Sequence, residues 1–167
     1  SRPARGGAAP GDEDDHGGAD MTLEMRYTHP NQIPIGRRAG VIAHASLIAR
    51  DLAIDRLNPE QFEKRVLQLC APLNSSVKVS VVRDPARHGM GLLGAVGQGA
   101  AVPPRLLAVE YAGRQGPGRQ APPAIIVGKG ITFDTGGLHL KPTRHIENMY
   151  LDKGGAPPAV GAGWAQA

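Results

Sequence analysis

Four charged side chains in the second half of the chain have the types and spacing of a metal-dependent active site. They are two lysines and two aspartates: Lys129, Asp134, Lys141 and Asp152. Carboxylate oxygens suit divalent cations such as Mn²⁺, Mg²⁺ and Zn²⁺. Each aspartate is followed within three residues by a glycine pair, which permits a close approach of the backbone to an ion or a substrate. The residue types therefore predict a site that holds cations.

The two lysines have more than one interpretation on chemical grounds alone. An ammonium has no lone pair, so Lys129 could bind a metal only after losing its proton, which a nearby dication and partial burial would favour. Otherwise Lys129 is a charge partner for Asp134. Lys141 could remain a cation that stabilises a developing oxyanion. The turn Gly128-Lys129-Gly130 also resembles a phosphate loop, but the full Walker pattern is absent.

Two helices are predicted before this segment. Apolar residues that recur every three or four positions predict the first helix over residues 39–54. Asn58 is expected to cap the second helix, with Pro59 in its first turn and Gln61 completing a capping box. Pro72 should end that helix.

Three strands and a short helix complete the predicted fold. Alternating valines predict a strand over Val77–Val82, and a second strand is expected over Leu106–Tyr111. The short apolar run Ala124–Val127 is typical of a buried strand, which would fix Lys129 at its end. A short helix is expected within His88–Gly99. This order predicts an α/β fold with a mixed central sheet and flanking helices.

Composition excludes several other classes of protein. The 167 residues suffice for one domain, although 23 glycines and 15 prolines indicate many loops. The single cysteine, Cys70, fits a reducing compartment. The net charge of +4 comes from scattered basic residues without interleaved aromatics, so nucleic acid is not expected as a partner. No apolar run approaches the ~20 residues of a membrane span.

The segment Val127–Gly155, VGKGITFDTGGLHLKPTRHIENMYLDKGG, closely resembles the signature of the leucyl (cytosol) aminopeptidases. Weaker similarity extends back to about residue 38. The resemblance implies the first, incomplete part of that family's catalytic domain over residues 38–167. Residues 1–20 are too poor in apolar side chains to fold and are predicted to be a disordered tail, with a linker over residues 21–37.

The resemblance also implies a role for each site residue. Lys129 and Asp152 correspond to ligands of the tighter metal site, Asp134 to the carboxylate that bridges both metals, and Lys141 to the catalytic lysine. Met149 corresponds to a residue that lines the pocket for the first side chain of the substrate. The implied cofactors are two divalent metal ions, zinc or manganese. Asp152 could instead cap a helix, and Met149 could be an ordinary core residue.

Four departures from the family pattern bear on activity. Lys153 replaces a methionine and places a cation beside a metal ligand. Pro157-Pro158 falls inside a family helix, where proline costs about 3 kcal/mol or more, so this helix should start late or fail. Ile54-Asp55-Arg56 replaces the family's Asn-x-Pro. The family's downstream block Asn-Thr-Asp-Ala-Glu-Gly-Arg, which carries two more carboxylate ligands and an arginine, has no counterpart.

The function implied by the resemblance is that of a metal-dependent aminopeptidase, which releases N-terminal, leucine-type residues from peptides by two-metal hydrolysis. The family is cytoplasmic, and its full-length members are homo-hexamers. Because ligands are missing, the isolated chain is expected to be inactive. The alternative is a non-catalytic fragment or interaction module that retains the aminopeptidase sheet. A basic nucleic-acid-binding module is a more distant third possibility.

Overall fold

The computed structural model describes residues 26–73, 75–111, 113 and 124–166. The predicted tail over residues 1–20 lies outside this part. The described helices and strands, in chain order, are α1 (Gln32–Ile54), α2 (Pro59–Cys70), β1 (Val77–Val82), α3 (Gly91–Gly97), β2 (Leu106–Tyr111), α4 (Thr143–Ile146) and α5 (Ala156–Trp164). The same ranges contain short 3-10 helices over Ala71–Leu73, Pro85–His88 and Met149–Lys153.

The described sheet consists of β1 and β2, paired antiparallel with Val77 opposite Tyr111 and Val82 opposite Leu106. Helices α1, α2 and α5 pack together beside it, and their apolar faces form one core. Its buried residues are Ile48, Leu52, Phe62, Val66, Cys70, Val77 and Val160. The predicted α/β class with flanking helices is confirmed, and its described sheet is small.

Helix α1 is longer than predicted. It begins at Gln32, so residues 32–37 of the predicted linker are helical. The side chain of Gln32 accepts hydrogen bonds from the backbone N–H groups of Thr28 and His29, at 3.1 and 3.3 Å. These local polar contacts fix the start of the helix. The periodicity of apolar residues cannot predict them. None of the helices within the described ranges has the length and apolar character needed to cross a membrane.

Helix α2 begins as predicted. The Asn58 side chain accepts from the Gln61 backbone N–H at 2.9 Å, and the Gln61 side chain accepts from the Asn58 N–H at 2.9 Å. The helix ends at Cys70, and Pro72 lies in the 3-10 helix that follows. The predicted short helix after His88 is also present, as α3.

An ion cluster around one buried carboxylate fastens α2 to both strands. Glu63 of α2 is only 4% exposed. Its carboxylate lies 2.5 Å from Arg83, which follows β1, and 2.6 Å from Arg105, which precedes β2. One carboxylate therefore joins the end of one strand to the start of the other.

The prediction of a third strand is wrong. Residues Ala124–Val127 have no regular secondary structure, and the side chains of Ile125 and Val127 are 83% and 91% exposed. An apolar run forms a strand only where a neighbouring edge can accept its backbone hydrogen bonds, and no described strand lies beside this one. The described sheet is consequently antiparallel rather than mixed.

The prediction that Pro157-Pro158 delays or prevents a helix is also wrong. Helix α5 begins at Ala156, so both prolines lie in its first turn. The first N–H groups of a helix have no acceptor within the helix, and proline loses nothing there. Gly161 then lets α5 pack closely on α1, because a Cβ at that position would lie 2.8 Å from the Ala45 carbonyl oxygen.

Candidate functional site

Lys129 and Asp152 form the first of two ion pairs. The Lys129 ammonium lies 2.9 Å from Oδ2 of Asp152, and the lysine side chain is about half exposed. Oδ2 is itself buried and receives no aligned hydrogen bond from the described residues, so the contact is mainly one of charge. Contact with Asp152, helped by the more distant charge of Asp134, raises the pKa of Lys129. Lys129 is therefore a protonated ammonium in this state.

Asp134 and Lys141 form the second pair. The Lys141 ammonium donates to Oδ2 of Asp134 at 2.8 Å, and the Gly136 backbone N–H donates to Oδ1 at 2.8 Å. These two donors, the lysine first, hold the pKa of Asp134 below its ordinary value. The Lys141 ammonium also lies 3.1 Å from the sulfur of Met149. Lys141 thus links the carboxylate to the thioether.

A close approach of two backbone segments places Lys129 beside Asp152. The Ala156 N–H donates to the Lys129 carbonyl at 2.7 Å. A Cβ on Gly128 would lie 2.7 Å from the Ala156 Cα, and a Cβ on Gly155 would lie 2.7 Å from the Lys129 backbone nitrogen. Glycine is therefore required at both positions. Lys129 is supported by this contact between two glycines, and not by the end of a strand as predicted.

A tight turn places Lys141 beside Asp134. Gly136 and Gly137 have φ of 90° and 67°, in the left-handed region that favours glycine. The turn is closed by the Lys141 N–H, which donates to the Thr135 carbonyl at 2.9 Å. The glycine pair thus reverses the chain and brings the two charges together.

A backbone hydrogen bond connects the two ion pairs. The Asp134 N–H donates to the Met149 carbonyl at 3.3 Å, and Met149 begins the 3-10 helix that carries Asp152. All four predicted charged residues therefore lie in one region of the surface. The pairing differs from the interpretation based on charge alone, because Lys129 contacts Asp152 and not Asp134.

The expectation that Lys153 adds a positive charge beside these pairs is wrong. Its side chain is fully buried, and its ammonium donates to the carbonyls of Ala53 and Tyr150 at 2.8 and 2.7 Å. Neither acceptor belongs to an ion pair of the site. Burial lowers the pKa of Lys153, partly opposed by the charge of Asp55. Adjacency in sequence misleads here because successive residues of a tight helical turn face different directions.

The described donors of the site are few, and their oxygen and nitrogen atoms are of the types that divalent cations bind. In the described ranges no three His, Cys, Asp or Glu side chains converge, so the available donors are two carboxylates and the Lys129 amine. The buried Oδ2 of Asp152 is the best-placed of these, since its close neighbour is already a cation. Asp152 is not the cap of α5, which begins after Gly155 without a side-chain cap among the described contacts.

An open cavity of about 470 Å³ adjoins the second ion pair. Lys141 and Met149 both line it, together with His139, Leu140, Pro142 and His145. Met149 therefore faces a cavity and is not an ordinary core residue. The two histidines were not expected from the sequence, where no spacing distinguishes them from surface residues.

Comparison with known proteins identifies relatives of this chain. The family model of the cytosol aminopeptidase family, catalytic domain, matches residues 47–167. A probable cytosol aminopeptidase of Syntrophotalea carbinolica is 39% identical over 128 residues, which are 75% of this chain and 25% of that protein. One from Rhizobium rhizogenes is 34% identical over 157 residues, or 90% and 31% of the two chains.

Solved structures show the same similarity. The bottromycin maturation enzyme BotP superposes with a TM-score of 0.65 at 32% identity, covering 91% of this chain and 32% of that one. The same enzyme in complex with Mn gives 0.64 at 33% identity, covering 82% and 29%. The chain thus spans about a quarter to a third of the length of these relatives.

Proposed function

This chain belongs to the cytosol aminopeptidase family, and on that premise we propose that it supplies part of the metal-dependent active site of an aminopeptidase. The proposed reaction is the release of N-terminal residues from peptides by two-metal hydrolysis. The family match carries the reaction class, because it covers most of the chain. The observation that carries the site is the buried Oδ2 of Asp152, which lies 2.9 Å from a lysine cation.

Lys129, Asp134 and Asp152 would hold the metal ions, zinc or manganese. When bound, such ions supply Lewis-acid chemistry that polarises a carbonyl group and lowers the pKa of water. Each carboxylate now contacts an ammonium, which a metal ion would replace as the counter-charge. Lys129 can bind a metal only as the neutral amine, so loading requires it to lose the proton that Asp152 now stabilises. The Mn in the related BotP structure supports manganese as the first ion to test.

Lys141 and Met149 would act on the substrate. The Lys141 side chain lines the cavity, where its ammonium can donate to the oxyanion that forms from the scissile carbonyl. Met149 contributes an apolar, adaptable wall to the same cavity, which suits a leucine-type side chain. The contact of 3.1 Å between them keeps the two groups on one side of the cavity.

The organisation and location of the protein are part of the proposal. We assign residues 32–167 to the partial catalytic domain instead of the predicted 38–167, because α1 begins at Gln32. Residues 21–31 remain a linker and residues 1–20 a tail in this proposal. The relatives are named cytosol aminopeptidases, which supports a cytoplasmic location. Homo-hexamers are proposed for full-length proteins of this type, with peptides as their substrates.

Manganese binding tests the proposed site directly. The 167-residue chain is titrated with Mn²⁺ and free Mn²⁺ is measured by electron paramagnetic resonance. Asp134→Asn and Asp152→Asn should each weaken binding at least about tenfold, since each removes a ligand charge. Asp84→Asn is the matched control, because Asp84 is exposed and pairs with Arg87 away from the site. Equal affinity in all four proteins would refute the assignment.

A non-catalytic module is the second candidate function. It is favoured by the two ion pairs, which neutralise both carboxylates with lysines of the chain itself. Such a site holds its geometry without metal. The same titration separates the candidates, because a module of this kind would bind no Mn²⁺ in the low micromolar range, while its thermal stability would fall in both aspartate variants.

A further inference from the structure

Lys153 is the largest fully buried side chain in the part of the chain that the structure describes. A buried ammonium is tolerated only where acceptors replace its water. Two carbonyls do so here, that of Ala53 at 2.8 Å and that of Tyr150 at 2.7 Å. These are charge-assisted bonds of short length, and they fix the side chain in one position.

The two acceptors belong to different parts of the fold. Ala53 lies in the last turn of α1, where carbonyls lack N–H donors within the helix and the helix dipole favours a cation. Helix α1, all of which is described, has no basic residue in its own last turn. Tyr150 lies in the 3-10 helix Met149–Lys153, and its ring is also covered by Arg56, 4.7 Å away. Lys153 therefore joins this 3-10 helix to the end of α1.

We propose that Lys153 is a positioning residue for Asp152: its ammonium anchors the 3-10 helix on the end of α1 and so directs the Asp152 carboxylate toward Lys129. This inference rests on the proposed metal site. The two side chains share one peptide bond, and their partners lie on different segments, at Ala53 and at Lys129. Release of the ammonium frees the 3-10 helix to rotate, and rotation moves the carboxylate away from its partner.

Amide hydrogen exchange tests the anchoring in the metal-free chain. The Gly154 N–H donates to Leu151 at 2.9 Å, and the Ala156 N–H donates to Lys129 at 2.7 Å. Lys153→Met keeps the volume, removes the donors and introduces the residue of the family pattern. In this chain it leaves the carbonyls of Ala53 and Tyr150 without the donor that satisfies them, so both amides should exchange at least tenfold faster. Amides in the middle of α1 should be unchanged. Unchanged exchange rates at Gly154 and Ala156 would overturn the inference, independently of the measured Mn²⁺ affinity.

Manganese affinity then separates positioning from general stability. Lys153→Met should bind Mn²⁺ about tenfold to a hundredfold more weakly, as expected when the support of a ligand is lost. Val66→Ala is the control for destabilisation, since Val66 is fully buried in the core of α2 and outside the site. It should lower the melting temperature while retaining the Mn²⁺ affinity. Faster exchange in Lys153→Met with unchanged Mn²⁺ affinity would also overturn the inference.

Two further variants apply if Lys153→Met does not fold. Lys153→Arg keeps a cationic donor and should retain exchange rates and Mn²⁺ affinity within about threefold of the parent chain. Lys153→Gln keeps a neutral donor on a shorter side chain and should show the tenfold effects. Parent-like behaviour of Lys153→Gln would overturn the inference. A parent chain that binds no Mn²⁺ refutes the proposed metal site, while the exchange rates still decide whether Lys153 anchors the helix.

Discussion

The backbone of Gly128 runs so close to Gly155 that neither position has room for a side chain. A Cβ on Gly128 would overlap the Gly155 carbonyl and lie 2.7 Å from the Ala156 Cα. This contact places Lys129 beside Asp152 without help from a strand. The precision of the first ion pair therefore depends on two residues that have no side chains.

Replacing Gly128 with alanine should disrupt this contact. Because the obstructing atoms are backbone, the segments must separate, and overpacking of this kind costs about 1–3 kcal/mol. Gly128→Ala should therefore lower the melting temperature and weaken Mn²⁺ binding together. Gly40→Ala is the matched control: no atom lies within 4 Å of a Cβ at this position in α1, and the substitution should be neutral or stabilising. Equal melting temperatures for the two variants would contradict the role of the contact.

The site was predictable to the extent that its residues interact locally. The glycine pair after Asp134 and the capping box at Asn58 depend on neighbours in sequence, and both were recognised there. The pairing of Asp134 with Lys141 was not predicted. The partner of Lys129 was not predicted either, because it is set by the approach of a distant glycine pair. The direction of Lys153 depends in the same way on the end of α1.

The sheet shows the same limit. Strands β1 and β2 have the predicted bounds, because each alternates and finds the other as a partner. Residues Ala124–Val127 have an equally strong strand composition and no strand beside them in the described chain. Composition determines which segments can form strands, but the formation of a strand requires a second edge.

The ion cluster at Glu63 should contribute strongly to stability. Glu63→Gln leaves Arg105, whose side chain is only 11% exposed, with the more distant Glu60 carboxylate at 3.7 Å as its counter-charge. Breaking a buried ion pair costs about 3–5 kcal/mol. The melting temperature should fall by roughly 10 °C. Asp84→Asn is the control, since the pair of Asp84 with Arg87 is exposed and should contribute less than about 1 kcal/mol. Equal decreases in melting temperature for the two variants would show that the Glu63 carboxylate contributes no more than an exposed ion pair.

Cys70 should react slowly with alkylating reagents in the native protein. Its side chain is 3% exposed, and burial raises the pKa of the thiol. Because the thiolate is the nucleophile, a raised pKa lowers the reactive fraction at pH 7, and the rate should continue to rise above pH ~8.5, the ordinary thiol value. Iodoacetamide labelling followed by mass spectrometry measures the rate, with the urea-unfolded chain as the fast reference. Labelling of the native protein at the rate of this reference would indicate that the core around α2 is accessible to the reagent.

The 167-residue chain, assayed alone, should have no appreciable aminopeptidase activity. Two-metal hydrolysis needs both ions held about 3.5–4 Å apart, which takes more ligands than two carboxylates and one amine. Within the described ranges no third acidic, histidine or cysteine side chain joins Asp134 and Asp152. One metal ion can bind such a set. Too few donors then remain to hold a second ion at the required distance from the first.

Hydrolysis of a leucine anilide with excess Mn²⁺ or Zn²⁺ measures this activity. The rate of the parent chain is compared with that of Asp134→Ala, which lacks the proposed bridging carboxylate. We expect the two rates to be the same within error, even where the parent chain binds Mn²⁺ and the variant does not. Metal binding without turnover would indicate that the described residues build one half of a catalytic centre. Turnover well above that of the variant would mean that two carboxylates and one lysine suffice, and the requirement for further ligands would be wrong.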